Sequence, residues 1–320
     1  MESRKLHNAE LKGMLSRFGF SAIGIAKAES VDSANVRRFK NWLDSGMNGS
    51  MNYMSNNVDK RLDPCLLLPS ARSVIVVALN YYPAKLLPAE HIQFAYYAYG
   101  KDYHDVMRRR MSEFAHTLQI HDIREKTPDE NSIYKGLICC DTVPVLDRYW
   151  AWKSGIGWIG KNTSLIVPGS GSFFFLGEII TELECDEYDS PMQSRCGGCN
   201  KCMDACPTGA LCSEYTLDSR RCLSYLTIEN RGNIPSDLAS KVGDCVYGCD
   251  RCQKACPHNR FSKPTSVDEF MPSEEFLAME RDDWHNLSRD DYQRLFCGSA
   301  VKRARYEGLK RNIDLAKTDN

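Results

Sequence analysis

The spacing of apolar positions changes along the chain, and each change predicts an element. Leu6, Leu11, Met14 and Leu15 share one helical face, so residues 5–18 are expected to form an amphipathic helix. Phe20 to Ala26 is a short apolar run of buried-strand type, and residues 32–45 return to helical spacing before Gly46. Ser73-Val-Ile-Val-Val-Ala-Leu79 is the strongest strand signal, a continuous β-branched run that fits a strand covered on both faces. A helix is expected from Asp102 to Leu118, a strand over Ser132–Ile138 and a helix over 145–154. Ser164–Val167, Pro-Gly-Ser-Gly and Phe173–Ile180 predict a hairpin. Alternating helices and buried strands give an α/β or α+β unit over 1–184. Beyond 267 the pattern is helical and charged, and Ala300–Asn312 is basic.

The stretch 185–260 breaks this pattern. It has few apolar runs and a dense set of thiols. Cys196-Gly-Gly-Cys199-Asn-Lys-Cys202-Met-Asp-Ala-Cys206-Pro207 has the C-x₂-C-x₂-C-x₃-C-P spacing of bacterial 4Fe–4S ligation. Cys249-Asp-Arg-Cys252-Gln-Lys-Ala-Cys256-Pro257 repeats half of it. Soft thiolates select iron–sulfur, zinc or copper(I), and the trailing Cys-Pro favours iron–sulfur over paired zinc knuckles. In two-cluster runs the fourth cysteine serves the other cluster. Cys196, Cys199 and Cys202 then take Cys256, while Cys206 joins Cys249 and Cys252. The second set lacks one ligand, because the regular position is Val246. Cys245, one residue out of register, and Cys222, in the Arg220-Arg-Cys-Leu-Ser-Tyr segment, are both open. Cys65, Cys139, Cys140, Cys185, Cys212 and Cys297 are expected to be plain thiols.

The 320 residues exceed what one core usually serves, and 42% hydrophobic with 26% charged residues is ordinary for a globular chain. Fifteen cysteines in so long a chain are expected to be metal ligands rather than a disulfide scaffold. The polar start, without an apolar signal core or twin arginines, and the lack of a long apolar run predict a cytoplasmic protein with no membrane contact.

Clusters alone indicate electron transfer, and a ferredoxin-type carrier would need no large companion domain. Two stretches of that companion look like a site. One is Gly100-Lys-Asp-Tyr103-His104. The other runs from Asp141-Thr through Asp147-Arg148 to Gly155-Ile-Gly-Trp-Ile-Gly-Lys161-Asn162. Asp141 follows a buried strand, where an α/β layer commonly carries a catalytic carboxylate, although Asp is also a good N-cap for a helix over 145–154. The glycines before Lys161 suggest a backbone lying close to something flat or bulky.

With these residues in place the chain resembles the epoxyqueuosine reductases, cobalamin-dependent iron–sulfur enzymes of tRNA modification. Arg61-Leu-Asp-Pro64, Leu68-Pro-Ser-Ala-Arg-Ser-Val-Ile75, Asp102-Tyr-His104, Asp141-Thr, Asp147-Arg148, Gly155–Asn162, Phe175–Ile180, both cysteine runs, Arg220–Glu229, Gly298–Arg303 and Glu307–Asn312 carry the resemblance in order. It implies a mixed α/β corrinoid-binding domain (1–184), a two-4Fe–4S ferredoxin-like domain (185–265) and a short helical C-terminus (266–320). It selects Cys222 as the missing ligand and leaves Cys245 a bystander. It implies cobalamin contacts at Arg61, Tyr103, His104, Asp141, Leu146, Lys161, Leu165, Gly177, Ser224, Cys249 and Asp250, with Asp141 as proton donor. Arg231 matches a tRNA-contacting position. The implied substrate is tRNA with a GUN anticodon carrying epoxyqueuosine, and the implied partner is an external low-potential electron donor. A monomer is expected.

Two features depart from the family pattern. Many members continue into HEAT-like repeats where this chain ends at Asn320, and Val143 stands where glycine is frequent. A nucleic-acid substrate calls for basic surface, which Arg220, Arg221, Arg231, Lys302, Arg303, Arg305, Lys310 and Arg311 could supply. A reductive dehalogenase-like corrinoid enzyme is the nearest alternative, but such enzymes usually carry an export signal. A ferredoxin-type carrier would leave Asp141 and Tyr103 without a purpose.

Overall fold

The computed structural model describes residues 4–127 and 131–316. The first part of the chain gives α1 (Asn8–Gly13), β1 (Ala22–Lys27), α2 (Ser33–Asp44), α3 (Val58–Leu62), β2 (Ser73–Asn80), β3 (Gln93–Phe94) and α4 (Tyr103–Thr117). There follow β4 (Ile120–Asp122), β5 (Tyr134–Cys139), α5 (Asp147–Lys153), β6 (Trp158–Ile159), β7 (Leu165–Ile166) and β8 (Phe174–Thr181). Five strands form one sheet in the order β1-β2-β8-β5-β4, antiparallel except for β4 beside β5. Residues Val74 to Leu79 of β2 are 0% exposed, as a run apolar on both faces requires. Ile75, Val77 and Leu79 belong to the core that includes Met107, Met111 and Phe114 of α4. Val74, Val76 and Ala78 belong to the second core, with Trp150 and Ala151 of α5.

Two expected elements differ. The helix over 5–18 is split into α1 and a single 3₁₀ turn over Leu15–Phe18, closed by Gly19 in the left-handed region. The hairpin between 164–167 and 173–180 does not form as such. Leu165 and Ile166 pair with Ile159 and Trp158, while β8 lies between β2 and β5. A strand apolar on both faces gains more from two sheet neighbours than from one short hairpin partner. Only the Val167–Gly171 bridge remains across the predicted turn.

The cysteine-rich stretch contains α6 (Lys201–Asp204), β9 (Leu211–Ser213), β10 (Thr216–Leu217), α7 (Leu223–Ile228), α8 (Ser236–Ala239), β11 (Cys245–Tyr247) and α9 (Arg251–Lys254). It has a small apolar core of its own, made by Leu223, Leu226, Ile234, Leu238 and Val242. β11 pairs in parallel with β3, Cys245 opposite Gln93 and Tyr247 opposite Phe94, which ties this stretch to the first part. The C-terminal segment holds α10 (Glu274–Ala278), α11 (Arg281–His285), α12 (Arg289–Leu295) and α13 (Arg305–Leu315). Its Phe270, Phe276, Trp284, Phe296, Leu309 and Ile313 enter the same core as β2 and α4. Among the described residues no helix is long and apolar enough to cross a membrane.

Candidate active site

All fifteen cysteines are free thiols. Cys196, Cys199, Cys202 and Cys256 line one small cavity with Lys161, Asn162 and His258. A second set gathers beside it. The Cys252 thiol is pushed up to about 12, by burial first and then by the nearby Cys222, Asp250, Cys206 and Cys202. Cys222, also raised by burial, feels Cys206 and the Arg148 guanidinium. Cys249 is raised as well, because Cys245 hydrogen-bonds to it and because it is buried. Cys202 lies on α6 and Cys252 on α9, and these two short helices pack together. Among the described residues no three ligand-type side chains converge closely enough for one ion. The four thiols around the first cavity ring a space instead, as a cubane with iron at its corners requires.

A second feature lies at the end of β5. The chain turns sharply there, with Thr142 N–H donating to the Cys140 carbonyl at 2.6 Å and Val145 N–H to the Val143 carbonyl at 2.8 Å. Asp141 adopts φ 51°, a left-handed conformation that Asp tolerates at some cost. The N-cap position of α5 is Leu146, so Asp141 does not cap that helix. Its carboxylate is exposed and accepts a hydrogen bond from the Tyr103 hydroxyl in the first turn of α4. The Tyr103 ring is stacked on Phe175 at 4.3 Å and 2°, and on His104 at 4.1 Å. Burial, and then the Asp141 charge, push the Tyr103 phenol far above its usual range. His104 is held by Asp102, the N-cap of α4, at 2.7 Å from Nδ1, and Asp102 also takes the Lys302 ammonium at 3.0 Å. Burial alone would raise the Asp102 carboxyl, but His104 and Lys302 hold it well below the usual carboxylate range.

Behind this corner lie two further carboxyls. Glu178 is 0% exposed in the middle of β8 and meets Asp147, the first residue of α5. Burial, then the nearby Asp147 and Asp141, push Glu178 well above its ordinary value. Burial, then the Asp141 charge, push Asp147 up to about 7. Near Asp141 stands Tyr53, 45% exposed, whose phenol is raised by burial and then by Glu229 and feels Asp141 as well. Glu229 closes α7 and holds Arg303 through two 2.8 Å bonds, and Arg303 lies over the Tyr53 ring. Tyr225 of α7 takes the Ser50 N–H at 2.8 Å. Tyr53 thus feels both Asp141 and Glu229, the residue that ends the helix begun at Cys222.

Residues 61–142 match the family model described as epoxyqueuosine reductase QueG, DUF1730, and residues 195–259 match the 4Fe-4S double cluster binding domain. The epoxyqueuosine reductase of Cellulophaga algicola is 41% identical over 99% of this chain and 100% of its own. The chain belongs to the epoxyqueuosine reductase family. The Escherichia coli epoxyqueuosine reductase is 35% identical over 93% of this chain and 77% of its own. A crystal structure of epoxyqueuosine reductase with a tRNA-Tyr epoxyqueuosine-modified stem loop superposes with a TM-score of 0.85. It is 30% identical and covers 96% of this chain and 80% of that one. As in that family, the fold is mixed α/β with a double 4Fe–4S domain and a short helical C-terminus.

Several residues that the family resemblance singled out have other surroundings. Lys161 is 4% exposed and sits at the first thiol cavity, holding Asn200 at 3.1 Å and Glu214 at 2.7 Å. The glycines before it make room for the chain itself. A side chain at Gly157 would strike the Ile166 carbonyl, and one at Gly160 the Ile166 side chain. Gly177 is closed on its side-chain face by Met111. Arg61 is buried and donates to the Val145 and Tyr53 carbonyls, bracing the loop behind Asp141. Asp250 is buried; its carboxyl accepts the Tyr96 N–H at 2.7 Å and its carbonyl the Lys254 N–H at 2.7 Å. Leu165 is buried in β7, whereas Leu146 and Ser224 are half-buried. Arg231 is exposed, but its guanidinium donates to the Ile228, Arg303 and Ala304 carbonyls. Of the basic run, Lys302, Arg303, Lys310 and Arg311 are likewise committed, to Asp102, Glu229, Asp314 and nearby carbonyls. Glu178 lies outside the stretches that the sequence marks as a site, although a lone Glu within Phe173-Phe-Phe-Leu-Gly-Glu-Ile-Ile180 is a visible signal.

Proposed function

We propose that this chain reduces the epoxide of epoxyqueuosine in the wobble position of tRNA to the alkene of queuosine. The observation that carries this is the Asp141 carboxylate held by Tyr103, with Tyr53 feeling both Asp141 and Glu229 at the end of the helix that begins at Cys222. Cys196, Cys199, Cys202 and Cys256 would hold one 4Fe–4S cluster, and Cys206, Cys222, Cys249 and Cys252 the other. Electrons would enter from an external low-potential donor. The surroundings of Asp141 suit a broad planar group such as cobalamin, with Tyr103 lying flat on Phe175 and Tyr53 standing exposed. Bound there, a corrinoid would supply a strongly reducing and nucleophilic cobalt centre. Tyr103, His104, Leu146, Ser224 and the backbone at Cys249 and Asp250 are the residues that would hold it.

The chain's own chemistry is then proton supply and orientation. Asp141 protonates the oxygen released as the epoxide opens, and Tyr103 aims its carboxyl while Asp102 and His104 fix Tyr103. Protein atoms leave Asp141 exposed, so its desolvation falls to the bound cofactor and tRNA. Anaerobically reconstituted protein should convert epoxyqueuosine tRNA, read by nucleoside mass spectrometry. Asp141→Asn should lower turnover by roughly 10²- to 10⁴-fold with iron content and corrinoid binding retained. Full turnover by that variant would refute the role of Asp141, and no conversion by the reconstituted wild type would refute the function.

A further inference from the structure

We propose that the buried Glu178 and the half-buried Asp147 form a two-carboxyl proton store that resupplies Asp141 during turnover. Glu178 lies between β2 and β5, opposite Val76 on one side and Cys139 on the other. It is 0% exposed, and among the described residues no N–H or hydroxyl reaches either of its carboxyl oxygens. A carboxylate so placed cannot stay ionised, because nothing replaces the water it lost. Glu178 therefore keeps its proton and presents it to the one polar group it meets, the Asp147 carboxyl. The two groups hold one proton between them, as close carboxyls do.

The groups that face this pair are few. Cys139 faces Glu178 from β5, Asp147 faces it from α5, and β2 offers only Val76. Asp147 in turn feels Asp141 and Arg148, and its charge reaches Cys140 and Arg61. A line of carboxyls thus leads from the closed interior through Asp147 to the exposed Asp141.

The need for such a line follows from the stoichiometry, and it rests on the epoxide reduction assigned above. Both C–O bonds of the epoxide break, a C=C bond forms and the oxygen leaves as water. That takes two electrons from the low-potential donor and two protons. Asp141 delivers one of these protons to the departing oxygen. With Asp141 covered by substrate, the second is the pair's shared proton, passed from Glu178 through Asp147 to Asp141, and solvent restores it to the pair once product leaves.

Glu178→Gln keeps the shape and the hydrogen bond to Asp147 but has no proton to pass on. In the reconstituted holoenzyme, single turnover of epoxyqueuosine tRNA should slow about tenfold near pH 8 and approach wild type near pH 6. The solvent deuterium effect should grow. Rates equal to wild type across that range would overturn the proposal. A second readout needs neither substrate nor corrinoid. The infrared spectrum of wild-type protein near pH 8 should contain a protonated-carboxyl band that shifts in deuterium oxide and is missing from Glu178→Gln. A wild-type spectrum without that band would overturn the proposal even if the variant failed to fold. Failure of the wild type to convert epoxyqueuosine would instead count against the assigned reaction, and the infrared result would still decide whether the pair stores a proton.

Discussion

The Asn312 side-chain amide donates to the Val246 carbonyl at 2.8 Å and, through its other hydrogen, to the Thr227 carbonyl at 2.8 Å. Asn312 is 0% exposed. One side chain from α13 thereby pins the end of α7, which starts after Cys222, to β11, which leads into Cys249. Arg311 adds a bond to the Leu226 carbonyl at 2.9 Å. The basic stretch that ends the family pattern is thus, in part, a clamp on the segments that carry two thiols of the second set.

Asn312→Leu should leave two buried carbonyls without donors and cost roughly 2–4 kcal/mol. Its effect should fall on one cluster more than the other. Reconstituted protein should retain about four of about eight irons per chain, with the signal of the Cys196–Cys256 set intact. An unchanged iron count and an unchanged unfolding temperature would show that the clamp is dispensable.

The two candidates for the fourth ligand of the second set separate in the same assay. Cys222 lies close to both Cys206 and Cys252, whereas Cys245 hydrogen-bonds to Cys249 and is lowered to about 7 chiefly by that bond. Cys222→Ala should lose one cluster, and Cys245→Ala should keep both, by iron content and electron paramagnetic resonance. The reverse pattern would make Cys245 the ligand.

The sheet and the thiol runs were legible because they rest on local signals. Val74–Leu79 has no polar residue to expose, and the cysteine spacing states its own ligation. The pairing of β8 was not legible, since a turn sequence signals a hairpin without naming the better partner two strands away. Asn312 and Glu178 were hidden for a related reason. Their partners lie 66 residues or more away for Asn312, at Val246 and Thr227, and in a separate helix for Glu178. The glycines at 155–160 misled in the opposite sense. Close approach was the right inference from them, but the approaching atoms belong to Ile166 and Ser190 of the same chain.

Tyr103 tests whether orientation of Asp141 matters apart from its acidity. Tyr103→Phe keeps the stack on Phe175 and removes only the hydroxyl that donates to Asp141. Turnover should fall about tenfold while corrinoid binding, followed by absorbance, holds. A weakened corrinoid with an unchanged rate constant would assign Tyr103 to binding instead.

Charge commitments divide the basic surface into two groups with different readouts. Arg231→Ala removes a guanidinium that satisfies the Ile228, Arg303 and Ala304 carbonyls, so it should lower the unfolding temperature whether or not tRNA is present. Arg305 is exposed, and Arg305→Ala should leave stability alone. If it faces tRNA, affinity should weaken and the slope against log salt should fall by about 1. No change in that slope would remove Arg305 from the interface.

The Asp147–Glu178 pair also fixes the sign of a stability change with pH. Asp147 is raised in the folded chain to about 7, first by burial and then by Asp141, above an unfolded value of 3.8. A raised carboxyl binds more protons folded than unfolded, so its contribution is fully present below pH 3.8 and is lost as pH rises through about 7. The loss is on the order of 4 kcal/mol if Asp147 acts alone. Asp102 works in the opposite sense but titrates far below this window, because its carboxyl is already depressed. Asp250, raised by burial to about 6, titrates within the window. Asp147→Asn leaves Asp250 untouched, so wild type and variant must be compared at each pH. The unfolding temperature of cluster-loaded wild type should fall between pH 5 and pH 8 more steeply than that of Asp147→Asn, and the variant should be the more stable of the two near pH 8. Parallel curves would mean that Asp147 ionises freely in the folded chain, and that the interior holds no carboxyl pair sharing a proton.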